Sequence, residues 1–215
     1  MKQSIKSFVR ARNRLSKINR NLLNQSPIDS FCRVEHFNGF YLSQTKQKRI
    51  LEIGFGNGEN LILSALDNPE ASYYGIEVYE MGVANILKAI ECKEISNVNI
   101  ILGDAIEVLE KNSVEDYFDE ILIFFPDPWP KKRHHKRRII RPNFLDLVRQ
   151  KLQPKGGFQV ITDWAHYAEH IDKTVGDNEY FIACHDDKPE GWSWPDPLAT
   201  NYAQKALAKG HNIYN

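Results

Sequence analysis

The chain has 215 residues, 42% hydrophobic and 26% charged, an ordinary composition with enough apolar material for one full core. Three cysteines, Cys32, Cys92 and Cys184, in no C-x-x-C spacing argue against a disulfide framework and structural zinc. The longest aliphatic and aromatic run, ILIFF, is far too short to span a bilayer, and no apolar segment follows the basic N-terminus, so the expected place is the cytoplasm, with no secretion and no membrane insertion.

The balance of 28 basic against 28 acidic residues hides a separation. Seven Lys or Arg precede the first acid, Asp29, and seven more lie between Lys131 and Arg141, leaving the remainder acidic by two to one. Two such clusters on an acidic body imply a polyanionic partner. Residues 1–28 form a basic arm whose latter part carries Leu15, Ile18, Leu22 and Leu23 at the spacing of an amphipathic helix; residues 29–215 form the main domain. By charge alone, removing residues 1–20 is expected to weaken polyanion binding and leave cofactor affinity nearly unchanged.

From Arg49 onward, short apolar runs alternate with segments of helical period, which predicts a doubly wound, mostly parallel α/β sheet of Rossmann-like type. In chain order, RILEI, SYYGIEV, VNIIL, FDEILIFF and GFQVITD read as strands. Helices are predicted over Gly58–Leu66, Glu80–Cys92, Asp104–Glu110 and Pro142–Leu152, the last opened by proline. Another follows Asp163. Beyond Tyr180 the expectation is a strand YFIAC, a loop rich in Trp and Pro, a helix NYAQKALAKG and a final strand HNIYN.

The first strand runs into LEIGFGNGEN, where Gly54, Gly56 and Gly58 allow positive φ and close approach of a ligand. The spacing E-x-G-x-G-x-G, with Glu52 before the first glycine, differs from the G-x-G-x-x-G of dinucleotide sites and suits a ligand without a pyrophosphate, which disfavours a nicotinamide dehydrogenase. Glu77 closes the second strand, where a carboxylate accepts ribose hydroxyls. Asp104 follows the third, within reach of an adenine amino group. Each also has a plainer reading: Asp104 with Glu107 looks like a helix capping pair, and Glu77 like a solvated strand end. Together, the glycine loop and two acids at successive strand ends describe an S-adenosylmethionine site at the topological switch point.

The fourth strand delivers FFPDPWPKKRHHKRR to the same edge. Pro126, Pro128 and Pro130 fix three φ angles and are expected to hold the preceding residues extended, presenting Asp127 on a stiff loop. The charges beyond it, Lys131, Arg133, Arg137 and Arg138 among them, suit phosphates.

The segments EIGFGNGE, GIEV, GDA, FFPDPWPKKRHHKRR and TDW, with SFVRARNRLSK in the arm and TNYAQKALAKGH near the end, resemble the bacterial tRNA (guanine-N7)-methyltransferases over nearly the whole chain. The resemblance implies methyl transfer from S-adenosylmethionine to guanine N7 in the variable loop of tRNA, with Glu52, Glu77, Asp104 and Asp127 lining the site and Asp127 catalytic. It further implies that Lys131, Asp163 and the run Thr200, Asn201, Tyr202, Ala203 contact tRNA. Two positions depart from the family pattern: Ala203 stands where T-x-[YF]-E has its carboxylate, and Asn13 where a glycine is usual.

Trp129, Trp192 and Trp194 are candidate stacking partners for an extruded base, although packing is the commoner fate of tryptophan. His166 and His170 share a helix face, but no further ligand completes a metal site, and no metal is expected. Asp163 also fits a helix cap. No feature calls for an obligate protein partner, and the chain is expected as a monomer or homodimer. Two alternatives stand beside the main reading: a methyltransferase acting on a protein or small-molecule amine, and a non-catalytic RNA-binding protein that retains the fold.

Overall fold

The computed structural model describes residues 6–8, 15–26, 28–40, 47–184 and 200–215. Six strands, β1 (Phe31–Arg33), β2 (Arg49–Ile53), β3 (Ser72–Glu77), β4 (Val98–Leu102), β5 (Phe118–Phe124) and β6 (Leu152–Ile161), form one sheet in the order β1-β4-β3-β2-β5-β6. Every pairing is parallel. Among the described residues seven α-helices accompany it: α1 (Lys17–Asn24), α2 (Glu59–Asp67), α3 (Glu80–Cys92), α4 (Ala105–Lys111), α5 (Pro142–Lys151), α6 (Ala165–Gly176) and α7 (Asn201–Ala208).

The sheet is buried on both faces, as parallel sheets must be. Along β5, Leu122 and Phe124 enter the apolar layer that holds Leu23 of α1, Leu61 of α2 and Val83 of α3. Ile121 and Ile123 enter the opposite layer, with Val108 of α4, Leu145 of α5 and Tyr167 of α6. Local chemistry sets the helix starts. Ser16, Asp104 and Thr200 each accept a backbone N–H at the first turns of α1, α4 and α7, and Pro142 opens α5. The second half of the basic arm is therefore a docked helix: Leu23 is 2% exposed, and Lys88 of α3 donates to Asn19 Oδ1 at 2.7 Å.

Three features differ from expectation. Strand β1, which pairs with β4, is only three residues long and half-buried, too short to show a period. Tyr180–Cys184 is not a strand: Ile182 is 90% exposed, and the open edge of β6 is met instead by the C-terminus, through a two-bond antiparallel bridge between Thr162 and Tyr214. That bridge is all that forms of the expected HNIYN strand among the described residues. Among the described residues no helix is long and apolar enough to cross a membrane.

Strand order places the site. From β2 the chain steps outward through β3 and β4, then returns to the other side of β2 for β5. The loops leaving β2 and β5 part at this reversal and open a crevice at their carboxyl ends. Helix α3 fixes one wall from behind: a Cβ on Gly82 would overlap the Gly56 carbonyl oxygen. Gly82→Ala is expected to cost about 1–3 kcal/mol through overpacking. Gly176→Ala, where an added methyl meets nothing within 4 Å, is expected to stay within about 0.5 kcal/mol. Denaturant midpoints of the two variants check both values.

Candidate active site

The glycine loop is built by three left-handed residues, Gly54, Gly56 and Gly58, at φ 77°, 60° and 79°. Gly58 caps α2, and a side chain there would strike Ile86. The loop is tied to β3 from both ends: Gly54 N–H donates to Ile76 O at 2.8 Å, and Gly56 N–H to Glu77 Oε2 at 2.8 Å. The other Glu77 oxygen accepts the N–H groups of Val78 (2.6 Å) and Tyr79 (2.8 Å). Glu77 is thus a backbone clasp rather than a solvated strand end, and it lines the crevice with a lone pair to spare on Oε2.

A cavity of about 550 Å³ lies between this loop, the Pro126–Asp127 segment and the start of α7, within the range of small-molecule sites. Glu52 forms part of its floor at 3% exposure, and Asn60, in the first turn of α2, donates to Glu52 Oε2 at 2.9 Å. Burial pushes the Glu52 carboxyl up to about 7; the Asn60 bond opposes this and the charge of Glu77 adds to it. Glu77 is likewise raised by burial, against its three backbone bonds and with a contribution from Asp127. Asp104 spends Oδ1 on the Ile106 N–H at 2.9 Å and caps α4, while Glu107, its expected capping partner, pairs with Lys111 at 3.1 Å instead. It borders an adjoining hollow, while its neighbours Gly103 and Ala105 line the main cavity.

Asp127 stands at the cavity mouth, exposed. Its loop departs from the expected extended geometry: Phe125 and Trp129, each preceding a proline, sit at φ 49° and 46°, a left-handed region unusual for such bulky residues. Contacts explain why. The Phe125 ring stacks on Tyr202 at 6.1 Å, its N–H reaches Ile161 O at 2.7 Å, and Trp129 Nε1–H donates to Ser7 O at 3.1 Å. Trp129 is therefore a packing residue, 8% exposed beneath the Arg137 guanidinium. Trp192 and Trp194 lie outside the described residues.

Lys131 and Arg133 are exposed around the 3-10 turn Lys132–Arg137, and Arg137 is half-buried over Trp129. Arg138 corrects an expectation: it is 0% exposed and unable to meet a phosphate. Thr200, Asn201 and Tyr202 line the cavity. Thr200 Oγ1 caps α7 through Ala203 N–H at 3.1 Å, and Asn201 Nδ2 reaches the Glu59 carboxylate of α2 at 2.6 Å. Ala203 is a second correction, since helix α7 turns it inward to 0% exposure together with Ala206, away from any RNA. Asp163 lies apart from the cavity, paired with His211 at 2.9 Å, and it does not cap α6. His166 and His170 bond Arg138 (3.1 Å) and Ile140 O (2.9 Å) respectively.

Residues that sequence reasoning missed also line the cavity: Ser7, Phe8, Asn60 and Lys205. Ser7 and Phe8 bring the arm to the wall of the cavity, where the sequence placed only a separate polyanion-binding segment. The only hint was an apolar residue inside a basic run.

A buried acid with a raised pKa favours its protonated form in the folded state, so the stability that Glu52 contributes is fully present below about pH 4.5 and is lost as pH rises toward 7. Glu52→Gln is expected to raise Tm relative to wild type at pH 8 but not at pH 4, while weakening cofactor binding at neutral pH. Thermal melts across pH, with cofactor titration, check this.

The methyltransferase family model Methyltransf_4 matches residues 46–215. The tRNA (guanine-N(7)-)-methyltransferase of Nitrosococcus oceani is 42% identical over 168 residues, covering 78% of this chain and 70% of that protein. The protein of the same name from Mannheimia succiniciproducens is 43% identical over 175 residues, covering 79% and 69%. Among solved structures, the precorrin-6y C5,15-methyltransferase of Geobacter metallireducens overlaps 61% of this chain and 63% of its own at 15% identity and TM-score 0.49; the strand order above, not this overlap, assigns the fold. With its glycine loop, buried acids and PDPWP segment joined at one cavity, the chain belongs to the S-adenosylmethionine-dependent tRNA (guanine-N7)-methyltransferase family.

Proposed function

We propose that this chain methylates N7 of a guanine in the variable loop of tRNA, in the cytoplasm, with Asp127 as the catalytic residue. One observation carries the reading: the acid-lined cavity opens at Asp127, and the basic segment starting at Lys131 leads directly away from that opening.

The residues present fit the cofactor. The glycine loop and the N-terminus of α2 face a cavity of suitable size, Glu77 retains acceptor capacity for ribose hydroxyls, and Gly103 and Ala105 offer backbone at the expected adenine end, with Asp104 beside them. Glu52 supplies a buried carboxylate for a cationic amino-acid moiety. Bound there, S-adenosylmethionine supplies an electrophilic methyl group. Guanine N7 carries an exposed lone pair, so no base has to remove a proton before it attacks, and positioning supplies most of the acceleration. Asp127 accepts hydrogen bonds from the guanine N–H edge and stabilises the positive charge that develops on the purine as the bond forms. Lys131, Arg133 and Arg137 neutralise phosphates around it, which lets a single acid approach a polyanion. The Thr200–Tyr202 turn, which lines the cavity, is the further surface proposed to meet RNA, with Asp163, outside the cavity, as a more distant contact.

Asp127→Asn is expected to lower the single-turnover rate by roughly 100- to 1,000-fold with little change in tRNA affinity. The assay is labelled methyl transfer to an unmodified tRNA transcript, followed by cleavage specific for 7-methylguanine; a wild-type rate in the variant, or label elsewhere than at a variable-loop guanine, would sink the reading. Deleting residues 1–20 is expected to weaken tRNA binding and flatten its salt dependence. Because Ser7 and Phe8 wall the cavity, it is also expected to lower cofactor affinity, measurable by calorimetry.

A further inference from the structure

We infer that Arg138 is a positioning residue for methyl transfer: it acts through the Asp127 loop, not on the RNA. The inference rests on the proposed role of Asp127. Arg138 ends a run of basic residues that reads as one phosphate-binding segment, yet the fold treats it differently from its neighbours. Lys131, Lys132 and Arg133 are exposed, whereas Arg138 is the largest fully buried side chain among the described residues.

Its guanidinium is engaged on three sides. Nε donates to the carbonyl oxygen of Pro128, the residue after Asp127, at 2.9 Å. Nη2 meets His166 Nδ1 of α6 at 3.1 Å. Its plane lies over the ring of Tyr167, 4.7 Å from the centroid, and Tyr167 is itself fully buried. A planar, delocalised cation can hold a carbonyl, an imidazole and an aromatic face at once; a lysine ammonium cannot. A buried charge placed this way braces the loop against α6.

The brace matters because the loop is strained. Phe125 and Trp129, on either side of Asp127, hold positive φ, and such conformations persist only where surrounding contacts over-determine them. Phe125 is held by Ile161 and Tyr202, and Trp129 by Ser7. Between those two anchors, Arg138 supplies a charge-assisted bond to the backbone next to Asp127. Releasing it lets Asp127 drift, and small displacements of a catalytic group carry large rate penalties.

The test compares Arg138→Gln and Arg138→Lys with Lys131→Ala, using single-turnover methyl transfer and tRNA binding across salt at a temperature well below each Tm. Both Arg138 variants are expected to lose roughly 10- to 100-fold in rate, with tRNA affinity within about twofold and an unchanged salt slope. Lys131→Ala is expected to weaken binding and reduce the salt slope by about one. In an Asp127→Asn background, Arg138→Gln is expected to cost less than about threefold more, because coupled residues are not additive. A shallower salt slope for Arg138→Gln, a wild-type rate, or a full multiplicative loss in the double variant would each overturn the inference. If the Arg138 variants do not fold, His166→Ala removes the far anchor and is expected to slow transfer several-fold at unchanged tRNA affinity; a wild-type rate there overturns it equally. A wild-type rate for Asp127→Asn alone would instead remove the reading on which the inference stands.

Discussion

The parallel pairing of β2 with β3 on one side and β5 on the other is the constraint from which the site follows. Register brings Ile53 level with both Ile76 and Ile123, so the three strands end together and their loops emerge at one height. A glycine loop, a carboxylate and a proline-braced aspartate, 23 to 73 residues apart in the chain by their positions at Gly54, Glu77 and Asp127, become neighbours without any of them having to seek the others. The two apolar layers on either face of the sheet hold that register rigid.

Charge is sorted by depth. Glu52 and Glu77 are buried at the floor, each held by N–H donors rather than by cations, while Asp127 lies at the rim and Lys132, Arg133 and Lys136 of the 3-10 turn face outward. Donors from amide and backbone groups place no cation beside the carboxyls, so the floor keeps its attraction for a cationic ligand. A salt-bridged floor would have cancelled it. The rim carries the opposite sign and suits the opposite partner. One short segment, from Phe124 to Arg138, spans this change of sign.

The strands and helices from β2 to α6 were legible because each repeats a period over five or more residues and is punctuated by glycine, proline or a capping side chain. The glycine loop and Asp127 were legible for the same reason, since they mark strand ends. What escaped was set by tertiary contact. Arg138 and Lys131 look alike in a basic run, and only the position of α6 decides which of them is buried. Ala203 sits in a motif of cavity residues, yet the helical turn that shows Tyr202 to the cavity hides its neighbour. Tyr180–Cys184 has the composition of a strand, yet it pairs with no strand among the described residues, and Ile182 is left exposed. Phe8 belongs to the site through the fold of a segment far from the motif, and Asn60, inside the motif, through the first turn of α2 that aims it at Glu52.

Glu52 gives the cavity one more property. A carboxyl with its midpoint near neutrality is, in the empty site, a mixture of protonated and charged forms at physiological pH. A cationic ligand bound beside it, as proposed for Glu52, would select the charged form and expel a proton to solvent. Ligand uptake and proton release are then a single linked equilibrium: the heat of binding depends on the ionisation enthalpy of the buffer, and the site fills more readily as the surroundings become more alkaline.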